Sequence, residues 1–199
     1  GVCFASVPDL LDELRASYAP DAGERFDALF RRLLEAVAGF DRRRPLPAYA
    51  SRPLSAWFAG RSRPERTTVG TVVLFDDTYM NFHETSVGIS AVELLESCGY
   101  EVLLANAGCC QRPKISHGLL REARAEGEKT LRKLDEYIQQ GLQIVACEPS
   151  CASALTDDLP DLIDDEELGK RIKENVMMID VFLAREIEAG RCTCEFTSL

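Results

Sequence analysis

Residues 100–113 read Tyr100-Glu101-Val102-Leu103-Leu104-Ala105-Asn106-Ala107-Gly108-Cys109-Cys110-Gln111-Arg112-Pro113. An apolar run of strand length ends in a turn marked by Gly108 and Pro113, and the turn carries two adjacent cysteines. Upstream, Ser86–Cys98 has the spacing of an amphipathic helix closed by Gly99, and Val69–Phe75 is a buried strand. Downstream, His117–Gln140 is a long helix ended by Gly141, and Leu142–Ala146 is a third strand. Ser150–Leu155 reads as a short helix and Asp165–Glu188 as a longer one. Alternation of strand and helix predicts an α/β fold: a small parallel βαβ sheet flanked by helices, with right-handed crossovers.

A helical N-terminal arm is expected before that sheet. Val7, Leu10, Leu11, Leu14 and Tyr18 keep helical spacing, as do Phe26, Leu29, Phe30, Leu33, Leu34 and Val37. Pro45, Pro47, Pro53 and Pro64, interleaved with arginines, then predict an extended linker, with Trp57 and Phe58 pinning it to a neighbour. The expected organisation is a helical arm over 1–40, a Pro/Arg-rich linker over 41–66, and an α/β domain over 67–199.

The net charge is −10 and is unevenly spread. Residues 1–66 hold eleven arginines and nine acidic residues, whereas 67–199 hold twelve basic and twenty-four acidic residues. An acidic main domain argues against nucleic acid as a partner, because phosphate binding needs a positive face. The longest apolar runs are far too short to span a bilayer. No signal peptide is visible at the Gly1-Val2-Cys3-Phe4 start. A cytoplasmic location is expected, either free or peripheral at the inner membrane through partners. Neither a Gly-x-Gly-x-x-Gly nor a Gly-Lys-Ser/Thr pattern occurs, so nothing points to a nucleotide held by this chain.

Eight cysteines are many for 199 residues. In a chain with no sign of secretion, clustered cysteines point to metal, cluster or redox chemistry. Three turns leave the strand ends: 76–84, 106–113 and 147–151. Ligands of α/β sheets gather outside the carboxyl ends of the strands. If the strands are neighbours, Cys109, Cys110 and Cys151 converge on one rim, and thiolates are ligands for iron–sulfur clusters and for zinc. Three thiolates fall short of the usual four, so either a fourth ligand comes from elsewhere or this chain holds only part of a site. Cys98 and Cys147 each end an apolar run and read as core filler. Cys192-Thr193-Cys194 is weak evidence for a site. His83 and His117 adjoin candidate turns; either can serve in acid–base chemistry, with a helix-start hydrogen bond favoured for His117.

At these turns the chain resembles the cysteine-rich CCG domain of iron–sulfur oxidoreductases. That group includes the heterodisulfide reductase B-type subunit, the glycolate oxidase iron–sulfur subunit and the anaerobic glycerol-3-phosphate dehydrogenase C-type subunit. The likeness is greatest to the iron–sulfur half of fused FAD-linked D-2-hydroxyacid dehydrogenases of the D-lactate or D-2-hydroxyglutarate type. It is carried by Asp77-Thr78, Asn81 through Glu84, Val87-Gly88, Ala91 through Leu95, Gly99-Tyr100-Glu101-Val102, Cys109 through Pro113 and Glu148-Pro149-Ser150-Cys151. The strap Arg43-Arg44-Pro45-Leu46-Pro47, ending at Trp57-Phe58, also resembles the segment before such domains.

The resemblance implies that Cys109, Cys110 and Cys151 hold or flank a cluster, expected to be 4Fe-4S. Cys3 would be the last cysteine of a ferredoxin-like segment. The family pattern has a cysteine in the first turn, where Asp77-Thr78 stands, and a CxxC in the third, where Glu148 replaces the first cysteine. The usual glycine after the pair is Gln111. The implied partners are a flavin dehydrogenase domain or subunit, a second CCG repeat and an electron acceptor, with FAD bound outside this chain. The chain then reads as a fragment covering the first repeat. The expected function is an iron–sulfur electron-transfer module of a flavin-linked 2-hydroxyacid dehydrogenase. A zinc-stabilised or metal-free interaction domain and a thiol–disulfide site are the alternatives.

Overall fold

In the computed structural model the described residues are 41, 43, 47–62 and 68–192. The helical arm over 1–40, Cys3 and Cys194 lie outside them. The chain divides into two compact units, 1–49 and 50–199. Of the first, the described part includes an ion pair between Arg43 and Asp41.

The second unit is built on four parallel strands: β1 (Gly70–Leu74), β2 (Tyr100–Leu104), β3 (Gln143–Ala146) and β4 (Val176–Met178). Their order across the sheet is β2-β1-β3-β4. The expected α/β class and parallel sheet are therefore present. In register, Val72 lies opposite Val102 on one side and Gln143 on the other. This is a doubly wound order, and its switch point lies between β1 and β3.

Side chains alternate along β1 because successive residues of a strand point to opposite faces. Val73 and Phe75 enter one core with Leu131, Leu134, Leu155, Leu159, Leu168 and Ile172. Val72 and Leu74 enter the other, with Leu54, Val92, Leu95, Phe182 and Leu183. Burying both faces is what a parallel sheet requires, and it explains why its strands read as continuous apolar runs. Each fully buried leucine, valine or phenylalanine contributes about 1.5–3 kcal/mol of burial free energy.

The connecting helices, α3 (Thr85–Ser97) among them, follow their sequence periods. In α5 (Leu120–Ile138), Ala123, Gly127, Leu131, Leu134 and Ile138 form the buried stripe. Its end is a Schellman closure: Gly141 N donates to Ile138 O and Leu142 N to Tyr137 O, with Gly141 at φ 81°. A β-carbon at Gly127 would stand 2.3 Å from Leu159 Cδ2, so this glycine is required for close approach.

Three features depart from the sequence reading. The expected linker contains a helix, α1 (Leu54–Gly60), because Pro53 stands at its N-cap, where proline breaks no hydrogen bond. Leu54 is wholly buried there, Trp57 and Phe58 pack on the same core, and Arg61 stacks 4.0 Å over Phe58 while pairing with Glu96 at 2.7 Å. The expected single helix over 165–188 is instead α8 (Glu166–Asn175), strand β4 and α9 (Ile179–Glu188). Four consecutive apolar residues, Val176 through Ile179, break the helical period, and β4 completes the sheet edge beside β3. Finally, Cys98 is buried as expected but is disulfide-bonded, so it is more than filler.

Candidate functional site

The turns after β1, β2 and β3 lie on the carboxyl edge of the sheet, with the β1 turn in the middle. Each is tied down by its own sequence. After β1, Asp77 caps the short helix α2 (Thr78–Phe82), its Oδ1 accepting from Tyr79 N and Met80 N at 2.9 Å. Asp76 Oδ1 accepts from Asn106 N at 2.8 Å and so joins the β1 turn to the β2 turn. At Asp77, then, the chain uses a helix cap.

The β2 turn is compact because three residues take positive φ: Asn106 (47°), Gly108 (94°) and Gln111 (62°). Helix α5 holds it from one side. Thr130 Oγ1 donates to Cys109 O at 3.1 Å, and Lys133 Nζ to Asn106 O at 2.8 Å. Gln111 Nε2 also donates to Cys109 O, at 3.0 Å. Gln111 N–H points to Cys109 Sγ at 3.4 Å. Helix α4 (Arg112–Ser116) follows at once, with Pro113 in its first turn.

In the β3 turn, Glu148 caps α6 (Pro149–Ser153) through Oε2, which accepts from Cys151 N at 2.7 Å. Ser150 Oγ donates to the same carboxylate at 2.6 Å. Glu148 is therefore the residue that fixes Cys151. A π-helical turn, Ala154–Asp158, continues from α6 into α7 (Leu159–Leu162). Such turns recur at functional sites.

Arg112 locks the second and third turns together. Its Nε donates to Ser150 O and an η-nitrogen to Ser153 Oγ, both at 3.2 Å, and an η-nitrogen pairs with Asp158 at 2.6 Å. This clamp brings the cysteines into contact. The Cys110 thiol donates to Cys151 Sγ at 3.0 Å, although the two are 41 residues apart in sequence. Cys110 is 3% and Cys151 9% exposed; Cys109 is half-buried beside them and interacts with Cys110 and Thr78. The three cysteines singled out in the sequence thus meet.

The thiolate forms of Cys109 and Cys110 are disfavoured. Its interaction with Cys110, together with burial, raises the Cys109 thiol well above the ordinary range. At Cys110 the interaction with Cys109 lowers the value, but the hydrogen bond to Cys151 and burial outweigh it. Burial, with the Asp77 carboxylate second, pushes Cys147 up to about 11. Burial also raises Asp76 and Asp77 against the hydrogen bonds they accept. At Glu148 burial is opposed and outweighed by hydrogen bonds from Ser150 and Cys151, and its carboxyl is held low.

Other candidates stand apart from this cluster. Cys147 packs beside the opposite core with Cys192. His83 stacks on Tyr79 with ring centroids 4.9 Å apart. His117 is exposed and caps the end, not the start, of α4, its Nδ1 2.7 Å from Pro113 O. The expectation of a helix-start bond is corrected: the long helix begins at Leu120, beyond Gly118, whose φ of 73° breaks the continuation.

The donors match a cluster site in kind and not yet in arrangement. Three thiols converge, but sulfurs 3.0 Å apart leave no room for an ion between them, and no group of three or more His, Cys, Asp or Glu forms a metal shell among the described residues. Sequence reasoning missed Arg112, Thr130 and Lys133 as the residues that hold the cysteine turn. Only Arg112 carried a signal, by standing between the pair and Pro113.

The architecture defines an α/β domain with a cysteine cluster at the carboxyl edge of a doubly wound sheet. Among curated proteins the chain is similar to the C-type subunit of the anaerobic glycerol-3-phosphate dehydrogenase from Escherichia coli strain K12, and to its counterpart from Escherichia coli O157:H7. Identity to each is 23% over 189 residues, covering 94% of this chain and 47% of the relative. The chain spans about half the length of these relatives. No family model and no solved structure matches it. Among the described residues, no helix is long and apolar enough to cross a membrane.

Proposed function

We propose that this chain is the first cysteine-rich part of an iron–sulfur electron-transfer module serving a flavin-linked dehydrogenase. The observation that carries the reading is the meeting of Cys110 and Cys151 at 3.0 Å, with Cys109 beside them, on the ligand-binding edge of the sheet. Similarity over nearly the whole chain to a dehydrogenase subunit supports the same reading. In this reading Cys109, Cys110 and Cys151 supply part of the thiolate shell, and the remaining ligands come from elsewhere in the protein. When bound, the group supplies one-electron carriage between the flavin and an acceptor. The chain's own residues position the thiols: Asp76 and Arg112 fix the turns, Glu148 orients Cys151, Thr130 braces Cys109, and Lys133 holds the same turn at Asn106.

The substrate we propose is a D-2-hydroxyacid, on the resemblance of the turns to fused dehydrogenases of that type. Glycerol 3-phosphate is the second candidate, favoured by the relatives' name. The test uses the intact protein that carries this chain, purified without oxygen. Adding D-lactate or D-2-hydroxyglutarate is expected to bleach its visible iron–sulfur absorption. Bleaching by glycerol 3-phosphate alone would move the substrate assignment, and colourless, zinc-loaded protein would overturn the redox reading.

A further inference from the structure

The contact between Cys110 and Cys151 has a consequence that needs no metal. A disulfide bond is about 2.0 Å long, so sulfurs 3.0 Å apart need approach by only about 1 Å more to bond. Both backbones are held from outside the cysteines. Arg112 bridges from the residue after Gln111 to Ser150, next to Cys151, and on to Asp158; the Cys151 N–H is fixed on Glu148. Both thiols are nearly inaccessible, whereas Cys109 is only half-buried and interacts with Cys110. That arrangement offers a protected bond with a less buried thiol beside it.

We propose that Cys110 and Cys151 form a reversible disulfide that stitches the β2 turn to the β3 turn whenever their thiols are not engaged as ligands. The oxidant is a small disulfide of the glutathione class, and it enters at Cys109. Cys109 sulfur attacks one sulfur of the small disulfide, giving a mixed disulfide and releasing the first small thiol, which takes the Cys109 proton. Cys110 sulfur then displaces the second small thiol, which takes the Cys110 proton, and joins Cys109. Cys151 sulfur attacks Cys110 and frees Cys109, which recovers a proton from Cys151. In sum, two protein thiols lose two protons and two electrons, and one small disulfide becomes two small thiols. The bond withdraws two of the three converging donors, so the site takes a metal only after reduction.

The disulfide uses the same cysteines as the proposed function but does not depend on a cluster, and its test is run on metal-free protein. The 199-residue chain is equilibrated in glutathione buffers from reducing to oxidising, alkylated, digested and mapped by fragmentation that separates Cys109 from Cys110. The expected result is loss of most alkylation at Cys110 and Cys151 together, a peptide joined through them, and full recovery with dithiothreitol. Cys109→Ser is expected to slow the bond's appearance several-fold while leaving its final yield unchanged, and Cys147→Ser to change neither. Complete alkylation of Cys110 and Cys151 at the oxidising end would overturn the proposal. So would arrest at Cys109–Cys110, or at a mixed disulfide on Cys109. The wild-type map requires no variant to fold.

Discussion

Gln111 sits at φ 62°, ψ 8°, a left-handed conformation that a side chain other than glycine takes at about 1–2 kcal/mol. Its amide donates to Cys109 O at 3.0 Å, which offsets part of that strain and explains how the chain tolerates Gln in a conformation that favours glycine. Gln111→Gly should therefore lie within about 1 kcal/mol of wild type in urea unfolding, the backbone relief balancing the lost hydrogen bond and the freer unfolded chain. Gln111→Val, branched at Cβ and unable to make that bond, should lose about 2 kcal/mol or more. A second residue-scale prediction concerns Glu186. Arg191 pairs with it at 2.7 and 2.8 Å and Tyr100 Oη donates to it at 2.5 Å. Arg191 is the main cause of a carboxyl held down at about 2. A depressed folded value means the stabilisation is complete above the unfolded carboxyl range near 4.5 and is lost as pH falls towards 2. With Arg191 largely exposed and the pair screened by solvent, its size at neutral pH is about 1 kcal/mol. Glu186→Gln should show that deficit in urea unfolding at pH 7, and the gap to wild type should narrow steadily on acidification.

At the scale of elements, two contacts decide whether the site holds its shape. Gly127 lets α5 lie against Leu159, which is fully buried. Gly127→Ala gains up to about 1 kcal/mol of helix propensity, but overpacking should outweigh it and lower stability by about 1–2 kcal/mol net. The second contact is the Arg112 clamp on the π-helical turn. Arg112→Ala should cost about 1–2 kcal/mol, and it should speed hydrogen exchange of the amides at 154–158 without a matching change in β1. Uniform acceleration across the sheet would contradict a local clamp. The elements also show what was legible in the sequence. Strands β1 to β3 could be read because each is a short apolar run bounded by turn residues. The three cysteines could be read because each stands just beyond such a run. Strand β4 was hidden because Val176–Met178 is three residues long and lies between two helical periods. The Arg112–Asp158 pair was hidden because it joins residues 46 apart through a π-turn that no local pattern announces.

For the whole molecule, the sheet order β2-β1-β3-β4 sets β1 between the two cysteine turns and puts the switch point at the site. Contacts among the thiols, together with burial, favour the protonated forms of Cys109 and Cys110, so ligation must displace protons there, and metal binding and thiol chemistry compete for the same sulfurs. The converging thiols are one short of the usual cluster set, and the relatives are about twice as long as the region matched here, which is why the proposed cluster belongs to the intact protein. The most direct test is the iron and acid-labile sulfide content of that protein, purified without oxygen, beside its Cys109→Ser, Cys110→Ser and Cys151→Ser variants. Iron and sulfide are expected in near-equal amounts in the parent, with a loss of both in each variant and the fold retained by circular dichroism. Unchanged iron and sulfide in all three variants would show that these cysteines hold no cluster and would contradict the proposed function.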